Sequence, residues 1–295
     1  MTAPSQPLTR RKRSRWEEFL RFWHRFKRNK GAVLGLSIFL LIILMSLFAE
    51  FIAPYDPLEQ NYLESLQPST LKHWLGTDSF GRDLLSRIIF GARIALIVGI
   101  LSVFLAMIIG VFLGLISGYY GGLVDTVIMR IMDGLYAFPV LILAIGLMAI
   151  LGLGVRNVII AVAVGYIAPF ARVTRGDVLA VREETYIEAA RLGGMSHLRI
   201  IFRHVLPNVM APIVVQGALR VSAAIIAEAG LSFLGLGPPP PMPTWGSMIS
   251  EGRNFIVLAW WISTFPGITL MITVMGLNLF GDGLRDTLDP KLKGR

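Results

Sequence analysis

The stretch EAARLGGMSHLRIIFRHVLPN, residues 188–208, is a charged interruption between two long apolar runs. Its residue order predicts two short helices around a glycine turn. Thr185 and Glu188 stand at the T-x-x-E spacing of a capping box, which starts a helix at Tyr186. Ala189 and Ala190 favour helix and carry almost no side chain. Gly193 and Gly194 supply a left-handed stop, and Ser196 can cap the next helix. In that second helix Leu198, Ile201, Phe202 and Val205 recur at i, i+3, i+4 and i+7, which makes one apolar face. Arg199 and Arg203 lie on another face, and Pro207 predicts a bend before the following apolar run.

The surroundings of this elbow decide the class of protein. Of 295 residues, 54% are hydrophobic and only 16% are charged, too few for the surface of a soluble domain of this length. Mean hydropathy is +0.65. The absence of Cys excludes disulfides and thiolate metal sites, and the four His show no ligand spacing. About 20 apolar residues cross a bilayer as a helix. Five stretches read as spans, 32–48, 94–120, 135–155, 209–236 and 255–280, and the shorter 158–171 makes a sixth if Arg172 and Arg175 reach the interface. The expected fold is therefore an all-α polytopic membrane protein with six transmembrane helices.

Charge sets the expected orientation. With the N-terminus inside, 21 of the 28 Lys and Arg fall in cytoplasmic segments. Only Lys72, Arg82, Arg87, Arg93, Arg156 and Arg253 fall outside, and Arg220 lies within a span. This asymmetry accounts for the formal charge of +9 without nucleic acid as a partner. It also places both termini and the elbow in the cytoplasm. Residues 1–31 form a basic arm, 32–91 the first span with an extracytoplasmic segment, and 92–295 a five-helix core that includes a loop over 172–208. The arm reads either as an amphipathic helix on anionic lipid, with Arg21, Arg25 and Arg28 on one face, or as a plain basic flank.

Smaller signals accompany the spans. Gly110, Gly114 and Gly118 repeat every four residues, a stripe that admits close approach of another helix. Pro139, Pro169, Pro212 and Pro266 can each kink a helix. The segment GPPPPMPTWGSM, residues 237–248, predicts a stiff polyproline-type connection. Trp245 and Met248 after it suit a membrane interface or a docking partner, or simply anchor the connection. Arg220 and Glu228 interrupt the fifth span, and a charge in lipid costs at least about 2.5–3.5 kcal/mol, so both should face the bundle or water. Asp133 is a candidate partner for Arg220. Two readings stand for Asp133, Arg220 and Glu228: charges along a translocation path, or gating and structural pairs.

A DNA-reading helix–turn–helix also pairs two short helices, but a location between membrane spans excludes that use. An elbow lying on the bilayer explains the apolar face and the arginines. It does not explain the small-residue surface before the turn, which suits insertion into a groove of another protein.

Residues 188–207 resemble the EAA motif of binding-protein-dependent ATP-binding cassette importers: Glu188, Ala189, Ala190, Gly194, Leu206 and Pro207 match, while His204 replaces a branched apolar residue. The stretches LGTDSFGRDLLSRIIFGARIAL (75–96), SGYYGGLVDTVIMRIMD (117–133), LSFLGLGPPPPMPTWGSM (231–248) and FPGITLMITVMGLNLFGDGLRDTLDPKLKG (265–294) resemble the C-type permease subunits of dipeptide and oligopeptide importers. Nickel and glutathione importers share that architecture. The resemblance implies a type I importer permease fold in a prokaryotic inner membrane. It also implies a homologous second permease, two ATP-binding subunits, an extracytoplasmic binding protein and a peptide substrate. Coupling to the ATPases would fall to Glu188, Ala189, Ala190, Gly194 and Pro207. No G-x-x-x-x-G-K-[ST] phosphate loop occurs, so ATP and Mg are expected on the partner subunits and the chain itself is not expected to be an enzyme. The rivals are a self-sufficient channel or carrier, which would need no ATPase docking surface, and a membrane enzyme, which would need clustered acid–base or metal groups.

Overall fold

Helix starts and stops follow local chemistry along the chain. A computed structural model describes residues 15–288. The arm residues Arg10, Arg11, Lys12 and Arg13 and the tail residues Lys291, Lys293 and Arg295, all used above for orientation, lie outside the described residues. Helix α1 (Arg15–Arg28) ends where Asn29 turns extended and caps the next helix, its side chain accepting from the Ala32 N–H. The first apolar helix is α2 (Lys30–Leu47), followed by a single turn, α3 (Ala49–Ile52). Residues 53–83 are irregular apart from a 3₁₀ turn at Tyr62–Glu64. The Asp83 side chain then accepts from the Ser86 N–H and opens α4 (Leu84–Tyr120). Gly121 and Gly122, with φ of 69° and 55°, turn the chain into α5 (Gly122–Tyr136). Then come α6 (Val140–Leu151), α7 (Val155–Arg182), α8 (Thr185–Leu192) and α9 (His197–Ile200). A π turn over Ile201–Val205 leads into α10 (Leu206–Phe233), and α11 (Trp245–Arg253) and α12 (Trp261–Leu288) complete the order. There is no strand among the described residues.

Helices α2, α4, α7, the run from His197 to Phe233, and α12 are each long and apolar enough to cross a membrane. The sixth candidate is the pair α5 and α6, bent by 90°. The apolar stretch 135–155 is therefore not one straight helix. Its α6 part has 12 residues, about 18 Å long, short of a hydrocarbon core of about 30 Å. Pro139 sits at that break and caps α6, whereas Pro169, Pro212 and Pro266 lie inside continuous helices. Helix α4 begins ten residues before the apolar stretch, because Asp83 caps it at the far side.

The glycine stripe of α4 meets α7. A Cβ built on Gly114 would stand 2.5 Å from the Ala171 carbonyl oxygen and 2.7 Å from the Thr174 Cβ. One on Gly110 would stand 2.6 Å from the Ile167 carbonyl oxygen. A second seam joins α2 to α12, where a Cβ on Gly35 would lie 2.5 Å from the Gly276 carbonyl oxygen. One apolar cluster gathers around the α4–α7 seam, and a second around Trp245, Trp261 and the start of α4.

Gly114→Leu should therefore separate α4 from α7. Overpacking of this kind costs about 1–3 kcal/mol or more. Thermal unfolding in detergent should show a lowered midpoint and loss of monodisperse protein. Gly176→Ala, where an added methyl meets open space, should leave both unchanged.

Candidate functional site

The elbow is built as a two-faced wedge. Helix α8 ends in a Schellman arrangement: the Met195 N–H donates to the Ala190 carbonyl at 3.1 Å and the Gly194 N–H to the Arg191 carbonyl at 3.0 Å. Gly194 takes φ of 74°, a conformation that costs a side chain strain even though space is open around it. Ile187, Ile200, Ile201 and Val205 are buried and join the α4–α7 cluster, with Ala190 and Met195 packed against it. Tyr119 at the end of α4 hydrogen-bonds His197 Nδ1 at 2.9 Å, and Arg191 lies over the Tyr119 ring. Arg182 donates to the Gly118 carbonyl at 3.2 Å. Deeper, Arg175 makes a bidentate pair with Asp125 at 2.5 and 2.6 Å. The base of the wedge is thus tied to both helices of the seam.

The opposite face is open and apolar. Leu192 is 84% exposed, Leu198 64% and Phe202 58%. Tyr186, Glu188, Ala189 and Pro207 are exposed beside them. Of the residues singled out from sequence, Ala190 therefore looks inward, while Glu188, Ala189, Gly194 and Pro207 look outward.

Three sequence expectations change. Glu184, in extended conformation, is the N-cap of α8, and Thr185 is its first helical residue, so no Thr185–Glu188 capping box forms. The apolar face expected at Leu198, Ile201, Phe202 and Val205 is also split: Ile201 and Val205 are buried, joined by Ile200, while Leu198 and Phe202 are exposed. A π turn follows Leu198 and shifts the phase of the residues after it, the Leu206 N–H reaching back five residues to the Ile201 carbonyl. A proline in a continuing helix clashes with the carbonyl four residues earlier, here Arg203, and the widened turn accommodates the Pro207 ring. The helix therefore continues through Pro207 where a bend was expected. Only a phase shift separates the two readings, and nothing but the proline itself signals it.

The charges within the spans also find other partners. Asp133 accepts from Arg172 at 2.6 Å, not from Arg220, and Arg172 stacks over Tyr136. Arg220 lies over the Tyr166 ring at 5.6 Å. Glu228 is buried and accepts from Ser232 on its own helix at 2.6 Å. Asp133, Arg220 and Glu228 thus form no common cluster.

With this geometry in hand, comparison with known proteins is informative. Residues 110–294 match the model of the binding-protein-dependent transport system inner membrane component. Residues 14–68 match the N-terminal TM domain of oligopeptide transport permease C. The chain belongs to the binding-protein-dependent transport inner membrane component family. It is 47% identical over 281 residues to the di/tripeptide transport system permease protein DppC of Pseudomonas aeruginosa (strain UCBPP-PA14), covering 92% of each chain. It is 48% identical over 286 residues to the glutathione transport system permease protein GsiD of Shigella flexneri serotype 5b (strain 8401), covering 96% of this chain and 92% of that relative. In fold it is similar to an inward-facing MetNI methionine ABC transporter chain: TM-score 0.57, 19% identity, 69% of this chain and 97% of that one.

This family member carries, on the face opposite the elbow, a site that sequence reading missed. Asp78 accepts from Arg82 Nε at 2.6 Å and pairs with Arg87 Nε at 3.3 Å. Glu251 of α11 faces both arginines, at 3.2 and 3.6 Å. The side chains of Asp78, Arg82 and Arg87 are buried. His73 and Asp83 pair beside them at 2.9 Å, and Lys72 and His73 hold the Glu64 carboxyl below its ordinary range. Trp245 and Met248 are buried here, with Trp245 Nε1 donating to the Ile88 carbonyl, so both are internal anchors rather than docking residues. The motif GTDSFGRDLLSR (76–87) held these charges in plain view, but no spacing rule pairs them with Glu251.

Breaking a buried ion cluster by removing one partner costs about 3–5 kcal/mol. Asp78→Asn should accordingly lower the thermal unfolding midpoint strongly. Arg93→Gln, which removes a half-exposed pair with Glu50, should shift it little.

Proposed function

We propose that the chain is the membrane permease subunit of an ATP-driven importer of short peptides, and that the elbow is the part gripped by a separate ATPase. The observation that carries this reading is the two-faced wedge. Its inner face is locked to α4 and α7, and its outer face presents Leu192, Leu198 and Phe202 to solvent. Exposed apolar patches rimmed by polar residues mark protein interfaces. Ala189 sits in that patch with little bulk to obstruct a groove, and the exposed Glu188 carboxylate lies beside it.

The chain lacks a phosphate loop, so two partner subunits would bind ATP and Mg and hydrolyse the nucleotide. A homologous second permease would complete the pathway, and an extracytoplasmic binding protein would deliver the peptide. The termini and the elbow would lie in the cytoplasm, in accord with the Lys and Arg distribution. The substrate class rests on the relatives named for di/tripeptide and glutathione transport, which share short peptide substrates with free carboxylates. ATP binding moves the permease only if the ATPase grips the elbow differently in the two states.

Leu192→Asp and Phe202→Asp place a carboxylate on the outer face without touching the buried one. Each should strip the ATPase subunits during co-purification and cut peptide uptake at least about tenfold, the equivalent of 1.4 kcal/mol at the interface. Unchanged co-purification, with photo-crosslinks from position 192 reaching only phospholipid, would instead make the elbow a bilayer-resting element.

A further inference from the structure

Helix α10 carries a line of polar side chains of which only the first, Asn208, has a hydrogen-bond partner within the described chain, the His204 carbonyl at 2.6 Å. Asn208, Gln216 and Arg220 recur with Pro212 at intervals of four residues, so they follow one line that winds about a third of a turn around the helix from the elbow to its middle. The other polar groups of α10 are satisfied internally. Ser222 donates to Asn278 of α12 at 2.6 Å, and Ser232 donates to Glu228. Neither Gln216 nor Arg220 has a side-chain hydrogen bond or ion pair among the described residues. A cleft of about 540 Å³ opens along the Asn208–Gln216 part of the line and stops short of Arg220; it is bounded by Val173 of α7, Pro212 and Gln216 of α10, and Arg285 and Leu288 of α12. Arg220 stands one turn beyond Gln216, half-buried, its guanidinium held over the Tyr166 ring.

The two carboxylates weighed as partners of Arg220, Asp133 and Glu228, are engaged elsewhere. Asp133 is taken by Arg172. Glu228 lies about 12 Å farther along the helix and is bonded by Ser232. A guanidinium inside an apolar span with no counter-charge is costly and calls for an anion that comes and goes. Arg is suited to a planar carboxylate, which it binds through two parallel N–H donors.

We propose that this line is a carboxylate-recognising lane, in which Arg220 receives the C-terminal carboxylate of the translocated peptide and Gln216 and Asn208 lead it toward the elbow side. This inference rests on the peptide-import reading above. Tyr166 is a positioning residue: its ring holds the guanidinium without neutralising it.

The chain has no Cys, so a single Gln216→Cys substitution gives a clean reporter in the assembled transporter with cysteine-free partners. Thiol modification is measured with a sulfonate-bearing and a trimethylammonium-bearing methanethiosulfonate reagent. With Arg220 present the anionic reagent should react faster, and Arg220→Gln should lower the ratio of the two rates about tenfold, the loss of one short-range charge interaction. A free-acid tripeptide should slow the reaction, and the same peptide with an amidated C-terminus should not. In uptake assays Arg220→Gln should reduce transport of the free acid about tenfold or more, with partial rescue by Arg220→Lys. A rate ratio indifferent to Arg220→Gln, or no reaction of the Cys at position 216 with either reagent, overturns the lane. Loss of the second permease from the Arg220→Gln assembly also overturns it, because Arg220 would then be pairing with that subunit. If the unaltered assembly imports no peptide, the substrate reading itself fails. Uptake that survives Arg220→Gln in a transporting assembly defeats the lane alone.

Discussion

The backbone of α4 lies against the backbone of α7, and that contact governs the elbow. Inside a membrane, lipid tails are as apolar as leucine, so helices gain little by hiding apolar side chains from them. Close packing must supply the attraction. Gly110, Gly114 and Gly118 remove the side chains that would hold the helices apart, and α7 fills the space with Ile167, Phe170, Ala171, Thr174 and Val178. The stripe ends where the polar ties begin. Just past it, Arg182 reaches the Gly118 carbonyl and Arg175 reaches Asp125. Widen the seam by one side chain and these bonds fail together. The elbow leaves α7 directly after Arg182, so its position is set by the seam.

The opposite face solves a different problem. The segment 53–83 has almost no regular structure and must be held by side chains. It is held by charge. Asp78, Arg82, Arg87 and Glu251 form a buried network, and Trp261 Nε1 donates to the Thr77 carbonyl at 3.1 Å. Such networks contribute little net stability for their desolvation cost, but they tolerate few alternative arrangements. The segment is therefore pinned to α11 and to the start of α12 in one register. The first span is fixed independently, by the Gly35 and Gly276 seam with α12 and by Phe26 packed on Phe280.

Much of this was legible in the sequence because it follows from one-dimensional rules. Apolar run length revealed the spans, four-residue spacing revealed the glycine seam, and a charged break between runs revealed the elbow. What stayed hidden depends on three-dimensional partners or on small phase errors. The break at Ala137–Pro139 splits a stretch whose hydropathy is uniform, so length alone read it as one helix. Leu198 and Phe202 face the open side while Ile200, Ile201 and Val205 face inward, and the π turn over Ile201–Val205 is announced by no residue pattern beyond Pro207. Asp133 was a candidate partner for Arg220, but it accepts from Arg172 on α7. Trp245 gave the signature of an interface residue, and only the tertiary contact with Ile88 shows it to be internal.

The elbow and the proposed lane belong to one element. From His197 to Phe233 the chain forms a run of 37 residues, about 55 Å, longer than a bilayer core is thick. Pro207 would normally break such a helix, and the π turn is what keeps it unbroken. Arg220 lies 13 residues beyond Pro207, about 20 Å along the same axis. One continuous helix therefore joins Arg220 to the elbow, while Tyr166 stands on α7. The cation–π contact between them links α10 to α7. A contact of this kind is weak, about 0.5–2 kcal/mol, and can be exchanged for a carboxylate contact at small cost. That weakness suits the proposed role of Arg220, in which a carboxylate is bound and then released.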